Sequence, residues 1–141
     1  MSAPTRPVAD AWIDAADPAC GRQLWGMNLV ERQVRQLALR GVHRFLIQVG
    51  DESAAQVRAF RTDLRRLHAC ECRFVAVADR PFAGGDAPVA AADVLVVQGA
   101  AVFDDRVFDR LLAAGEGVAV CGPDGAVAAR LGPRQAGAAV R

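Results

Sequence analysis

Four small or charged residues of this chain lie at the end of an apolar run or shortly after it. α/β proteins bind ligands at such places. Asp14 closes the first run, Gly21 and Arg22 lie in the segment after it, and Gly99 closes a later run. In an open parallel sheet, ligands bind beyond the carboxyl ends of the strands. Asp14 could contact a ribose or a base, or could cap its loop. Gly21 and Arg22 could contact a phosphate, although an exposed loop arginine is the more common outcome for Arg22.

The side-chain composition limits the chemistry at this edge. All 17 basic residues are arginine, tyrosine is absent and only two histidines are present. Without lysine, the chain can neither form a Schiff base nor supply the lysine of a phosphate-binding loop. The sequence also lacks Gly-x-Gly-x-x-Gly and Walker motifs. A net charge of +1 gives no indication of a nucleic-acid partner.

Two further groups of ionisable residues have simple structural interpretations. Asp104 and Asp105 could replace a lost metal ligand, but they begin a predicted helix, where acids favour the N-terminus. His68, Cys70 and Cys72 depart from the usual spacing of zinc ligands and fit small apolar residues entering a strand. We therefore predict no catalytic residue and no metal ligand in either group.

Aromatic and basic side chains lie near the first loop. Trp12 and Trp25 flank it, and Trp25 could stack on a base or dock a partner, although packing in a core or a lid is the more common role. Stripes of arginine on two predicted helices are most simply solvated faces, but they would also suit an anionic lipid surface. These arginines are Arg32, Arg35, Arg40, Arg61, Arg65 and Arg66.

The elements that must position these residues alternate between strands and helices. Apolar runs predict strands over 8–16, 42–50, 72–79 and 93–99. Helical spacing predicts a helix between an Asn28 N-cap and a Gly41 C-cap, and two more over 51–69 and 104–115. A turn signal at 123–125 predicts a C-terminal hairpin. This order predicts a Rossmann-like, three-layer α/β/α sandwich with a mostly parallel sheet.

The chain length and its apolar runs bear on organisation and location. At 141 residues, the chain fits a single domain over 1–141, with frayed ends at 1–7 and 133–141. No apolar run is long enough to cross a bilayer, and the N-terminus lacks the apolar stretch of a signal peptide. Four unevenly spaced cysteines do not form a secreted disulfide framework. We therefore expect a cytoplasmic protein.

Three stretches together resemble the sugar-phosphate and alcohol-phosphate nucleotidyltransferases. They are LWGMNLVERQVRQLALRGVHRFLIQVGDE, ADVLVVQGAAVFDDRVFDRLL and GVAVCGPDGAVAARLG, and the likeness covers most of residues 10–132. Gly26, Met27 and Leu29 take the positions of the family's turn, and Asn28 stands where the family usually has proline. The chain looks most similar to the cytidylyltransferase-like domains that occur beside, or fused to, CDP-alcohol phosphotransferases in phospholipid synthesis.

The chain departs from this family where the chemistry is performed. Active members have a glycine-rich loop with an arginine and then a lysine after the first strand, whereas this loop is short and the chain has no lysine. They also have a Mg²⁺-binding aspartate after the glycine of the later strand, where this chain has Ala100 and Ala101 after Gly99. An alanine methyl offers no oxygen to Mg²⁺.

The resemblance and these departures lead to three hypotheses about function. The first is a degenerate nucleotidyltransferase-like domain that uses no cofactor and acts as a binding or assembly module. Its partner would be a membrane-embedded CDP-alcohol phosphotransferase, which would bring the domain to the membrane. The second is an active nucleotidyltransferase that uses CTP and Mg²⁺ at a non-standard site. The third is a Rossmann-like small-molecule sensor. A bound nucleotide and a homodimer remain open under the first.

Overall fold

The computed structural model describes residues 7–60, 70–76, 93–115, 117–123 and 125–132. Eight strands and three α-helices lie in these ranges. The strands are β1 (Asp10–Ala15), β2 (Gln23–Leu24), β3 (Met27–Asn28), β4 (Arg44–Val49), β5 (Glu71–Ala76), β6 (Val94–Gln98), β7 (Val118–Gly122) and β8 (Gly125–Leu131). The helices are α1 (Leu29–Ala38), α2 (Ala54–Arg58) and α3 (Asp105–Ala113), and a 3₁₀ turn spans Pro18–Gly21.

Six strands form one sheet in the order β5-β4-β1-β6-β8-β7. The strands β5, β4, β1 and β6 are parallel, and β8 is antiparallel to both of its neighbours. The last two strands form the predicted C-terminal hairpin, with an irregularity between Val120 and Cys121. The sheet confirms the predicted Rossmann-like α/β fold class.

One face of the sheet carries the main core. Alternate residues of β1, β4 and β6 point to this face and are almost fully buried, because side chains of a strand alternate between its two faces. All three helices contribute apolar side chains to the same cluster. Its members include Ile13, Val30, Val34, Leu37, Ile47, Val57, Leu95, Val97, Phe108 and Leu111.

The other face carries a smaller cluster around Trp12 and Val94. The partly buried residues that pack on it come from β4, β6 and β8. Its described members therefore come from strands alone, and any helical layer on this face lies outside the described residues.

Local capping sets the helix ends near the first loop. The Asn28 side chain accepts a 2.7 Å hydrogen bond from the backbone N–H of Glu31, so Asn28 is the predicted N-cap of α1. Gly41 has φ +90°, a left-handed conformation that favours glycine at the end of a helix. Asp104 caps α3 by accepting from the N–H of Arg106. The predicted caps Asn28 and Asp104 are confirmed, whereas α1 ends at Ala38 with Leu39 as its C-cap, and Gly41 lies in the turn that follows.

The second helix differs from its prediction. Asp51 and Glu52 lie in a turn before α2 and not in its first turn. Ser53 shapes this turn, because its hydroxyl accepts from the N–H of Gly50 and donates to the carbonyl of Ala15 at 3.0 Å. The predicted helical residues 61–69 lie outside the described residues.

Other predictions also fall partly or wholly outside the described ranges. They concern His68, the end of the strand over 72–79 and most of the two chain ends. The two-residue strands β2 and β3 form a small antiparallel hairpin that the sequence did not predict. None of the described helices has the length and apolar character needed to cross a bilayer.

Candidate functional site

The carboxyl ends of β1 and β6 meet at the predicted nucleotide edge. The strand order extends from β1 in two directions, to β4 on one side and to β6 on the other, which makes this a topological switch point. The N–H of Gly99 donates a 2.7 Å hydrogen bond to the carbonyl of Asp14. Two of the four predicted site residues are therefore adjacent.

Gly99 is held where no larger residue fits without movement. A Cβ at this position would lie 2.8 Å from the Asp14 carbonyl oxygen and 3.0 Å from the Cys20 sulfur. Cys20 is fully buried, and its burial, followed by the negative charges of Asp17 and Asp14, raises the pKa of the thiol to about 12. The centre of this edge is thus tightly packed around a neutral thiol.

The loop after Gly99 is fixed by a buried amide that sequence reasoning missed. The Gln33 side-chain nitrogen lies 2.9 Å from the Gln98 carbonyl, 3.3 Å from that of Gly99 and 2.8 Å from that of Ala101. Gln33 is 1% exposed. A signal did exist, because Gln33 lies at helical spacing within the buried stripe of Val30, Val34 and Leu37. A polar residue in such a stripe needs hydrogen-bond partners.

Gly21 and Arg22 lie beside this centre, at the end of the 3₁₀ turn. A Cβ on Gly21 would overlap the Gln56 side chain, so this glycine allows the turn to contact α2. Arg22 is exposed and forms no ion pair with another described residue. The Asp14 side chain accepts a 3.1 Å hydrogen bond from the backbone N–H of Ala16. This contact corresponds to the loop-capping role, one of the two roles predicted for Asp14.

The two acids that could replace a metal ligand are both engaged elsewhere. Asp104 accepts hydrogen bonds from the Arg106 side chain and backbone, and these lower the pKa of its carboxyl group to about 2. Asp105 accepts from the Gln36 amide at 2.8 Å and lies 3.6 Å from the Arg40 guanidinium. Within the described ranges, no three His, Cys, Asp or Glu side chains are grouped so that they could hold a metal ion.

The tryptophans have opposite environments. Trp12 is 5% exposed in the smaller core cluster, as a packing role requires. Trp25 is 75% exposed at the turn of the β2–β3 hairpin, so a role in the core is wrong for it. The guanidinium carbon of Arg32 lies 4.7 Å from the centre of the Trp25 ring.

Comparison with solved structures shows what the fold as a whole resembles. The inositol-1-phosphate CTP transferase from T. maritima matches with a TM-score of 0.58 over 79% of this chain, at 13% sequence identity. The 4-diphosphocytidyl-2C-methyl-D-erythritol synthase from Anaerococcus prevotii matches with a TM-score of 0.51 over 86% of this chain, at 12% identity. The chain has a nucleotidyltransferase-like fold.

A third structure of this nucleotidyltransferase-like fold extends the comparison. A manganese complex of a protein from Mycobacterium tuberculosis has a TM-score of 0.63 over 96% of this chain and 76% of that chain, at 13% identity. This chain spans only 51% of the inositol-1-phosphate enzyme and 63% of the erythritol enzyme. No protein-family model matches the sequence, and no curated protein does so.

Proposed function

We propose that this chain is a nucleotidyltransferase-like domain that has lost catalysis and serves as a binding or assembly module. The observation that carries this proposal is the loop after β6, where Gly99 is followed by Ala100 and Ala101. In the family that the sequence resembles, an aspartate after this glycine holds Mg²⁺. Phosphoryl-type transfer depends largely on metal and cationic stabilisation of charge.

The way in which this loop is held supports the proposal. Gln33 binds three of its carbonyl groups, and the Gly99–Asp14 hydrogen bond joins it to β1. Ala100 and Ala101 are half-buried against the main core cluster. The loop is therefore well ordered by hydrogen bonds and packing while its side chains offer no oxygen to a cation.

The remaining charged groups give limited replacement for the lost chemistry. Arg22 is available for a phosphate, but the chain has no lysine to accompany it. Asp104 and Asp105 already pair with Arg106, Gln36 and Arg40. Recruiting either acid for a metal would break a helix cap or a contact between α1 and α3.

We assign the partner as a membrane-embedded CDP-alcohol phosphotransferase, on the basis of the resemblance. Support comes from the fold shared with an inositol-1-phosphate CTP transferase. Transfer of the CMP moiety of CTP to an alcohol phosphate, with release of pyrophosphate, yields a CDP-alcohol. An inactive domain with this fold would bind and position the phosphotransferase, or an active copy of the nucleotidyltransferase domain. Co-purification of this domain with a detergent-solubilised phosphotransferase is the expected result, and its absence would contradict the assignment of this partner.

An active nucleotidyltransferase is the second candidate, since the manganese-bound protein from Mycobacterium tuberculosis has the same fold. It would use Asp14, Arg22 and either Asp104 or Asp105. Titration with CTP and Mg²⁺ or Mn²⁺, followed by calorimetry and pyrophosphate release, separates the candidates. Pyrophosphate release with an alcohol phosphate would overturn our proposal, whereas metal-independent nucleotide binding would indicate a sensor.

A gain-of-function variant sharpens this test. Ala100→Asp restores a carboxylate after Gly99, and we expect it to create Mg²⁺-dependent binding of CTP that the natural chain lacks. Val102→Asp is the matched control, because it adds the same charge to the same loop at a residue that is 58% exposed. Equal metal and CTP binding by the natural chain, Ala100→Asp and Val102→Asp would contradict the assignment of this loop as the lost metal site.

A further inference from the structure

An exposed aromatic side chain lies at the tip of the β2–β3 hairpin. Leu24 pairs with Met27, so Trp25 and Gly26 form a two-residue turn. Both have positive φ, at +52° for Trp25 and +79° for Gly26. Such turns favour Asn or Gly, because a side chain with a Cβ is strained in the left-handed region. Trp25 is thus both strained and 75% exposed.

Two arginines of α1 lie against this hairpin. Arg32 stacks on the Trp25 ring, and an Arg35 side-chain nitrogen lies 3.9 Å from the Met27 sulfur. Neither guanidinium forms an ion pair with another described residue. We call Trp25, Met27, Arg32 and Arg35 the hairpin patch. In this patch the Trp25 ring projects at the turn of the hairpin, and the positive charges of Arg32 and Arg35 lie behind it on α1.

We propose that the hairpin patch binds an anionic membrane surface, with Trp25 in the interfacial region and Arg32 and Arg35 against lipid phosphates. Tryptophan is enriched at the membrane–water interface, and basic residues are attracted to anionic lipid headgroups. The proposal is independent of the proposed function, since the patch would bind lipid whether or not the domain binds a phosphotransferase or turns over CTP.

The shape of the patch favours a membrane over other ligands. Small-molecule sites are concave and enclose most of their ligand, whereas Trp25 projects from a two-residue turn. A protein partner would need a pocket complementary to this one side chain. A bilayer interface accepts a convex aromatic tip without a preformed pocket, and its negative charge matches the two unpaired guanidinium groups.

Binding to vesicles tests this proposal directly. We expect the natural chain to sediment with phosphatidylglycerol-containing vesicles at low salt, and to do so much less with pure phosphatidylcholine or at high salt. Arg35→Gln should weaken sedimentation about fivefold. Trp25→Asn, which suits the left-handed turn, should weaken it while keeping the fold. Leu39→Asn is the matched control, since it replaces an apolar residue of similar exposure (58%) outside the patch.

Fluorescence gives a second, site-specific measurement. In a Trp12→Phe variant, Trp25 is the only tryptophan left, and circular dichroism checks its fold. Anionic vesicles should shift the Trp25 emission to the blue and protect it from acrylamide. Absence of vesicle binding, or equal binding by the natural chain and both patch variants, overturns the proposal. A response to polyglutamate or CTP but not to vesicles overturns it in favour of a protein or nucleotide ligand.

Discussion

The backbone N–H of Gly99 donates to the carbonyl oxygen of Asp14 across the carboxyl ends of β6 and β1, at 2.7 Å. This hydrogen bond extends the parallel ladder of β1 and β6 at the edge where Rossmann-like sheets bind ligands. It requires the close approach of two backbones, and that approach depends on the absence of a side chain at residue 99.

Gly99→Ala should therefore destabilise the fold. Its Cβ would lie 2.8 Å from the Asp14 oxygen and 3.0 Å from the Cys20 sulfur, so backbone must move. We expect a loss of about 2 kcal/mol in the free energy of unfolding, measured in urea. Gly115→Ala is the matched control, because a Cβ there meets no atom within 4 Å. Equal losses in the two variants would show that residue 99 is not tightly packed.

Asn28 joins two helices, and its two functions can be separated. Its oxygen caps α1, and its amide nitrogen donates to the carbonyls of Gln56 at 3.0 Å and Val57 at 3.2 Å. Asn28→Ala should cost about 2–4 kcal/mol, because it removes a cap and the donor to the Val57 carbonyl, whereas the Gln56 carbonyl still accepts from the N–H of Ala59.

Asn28→Ser retains a capping oxygen and loses only the bonds to α2. It should therefore be more stable than Asn28→Ala by about 1 kcal/mol in the same urea titration. If the alanine variant proved as stable as the serine variant, the cap would contribute nothing to α1.

A buried ion pair joins β8 to the start of β6. Two nitrogens of the Arg130 side chain lie 2.8 and 3.0 Å from one oxygen of Asp93, and Arg130 also donates to the Leu112 carbonyl. Arg130→Met should cost about 3–5 kcal/mol, because it leaves a buried carboxylate without its cation. Arg130→Met combined with Asp93→Leu should cost less than Arg130→Met alone. A double-mutant cycle by chemical unfolding measures this coupling, and additive losses would exclude it.

The four cysteines should differ in reactivity with a thiol reagent at pH 8. Cys121 is exposed and should react first. Burial raises the pKa of Cys20 and Cys72 to about 12 and also raises that of Cys70. At pH 8 the thiolate is the reactive form, and only about one Cys20 side chain in 10⁴ would carry it. Rapid labelling of Cys20 in the folded chain, identified by mass spectrometry, would contradict the packing described.

The same pKa shift predicts a loss of stability in alkali. The pKa of the Cys20 thiol has its ordinary value of 9.0 when the chain is unfolded, and burial raises it to about 12 in the folded chain. Unfolding therefore releases a proton between these values, and stability falls as the pH rises from about 9 to 12. Cys20→Ala should reduce the slope of melting temperature against pH in this range. An unchanged slope would show that Cys20 ionises equally in both states.

The sequence predicted those features that depend on neighbouring residues. Asn28 and Asp104 were identified as caps because capping is decided within one helical turn. The alternation of apolar runs likewise predicted the mostly parallel sheet and its final hairpin. The turn at Asp51 and Glu52 was missed, because Ser53 is held by the Ala15 carbonyl, far away in the chain.

The site was harder to predict for two physical reasons. Trp25 is a poor signal for a turn with positive φ, so the small hairpin and its exposed tip were not expected. Gln33 lies at helical spacing among the buried valines of α1, which indicates a buried amide but does not identify its partners. The carbonyl groups that pair with it, those of Gln98, Gly99 and Ala101, are distant in the chain and cannot be deduced from local spacing.

The placement of β8 has a consequence for the chain during its synthesis. Strand β6 hydrogen-bonds to β1 on one side and to β8 on the other. Until the residues after Gly125 have been synthesised, one edge of β6 is therefore unpaired. Until Arg130 has been synthesised, the Asp93 carboxylate also lacks its ion-pair partner. Interruption of synthesis before β8 would therefore leave this edge of β6 unpaired, and an unpaired strand edge is prone to pair with another chain.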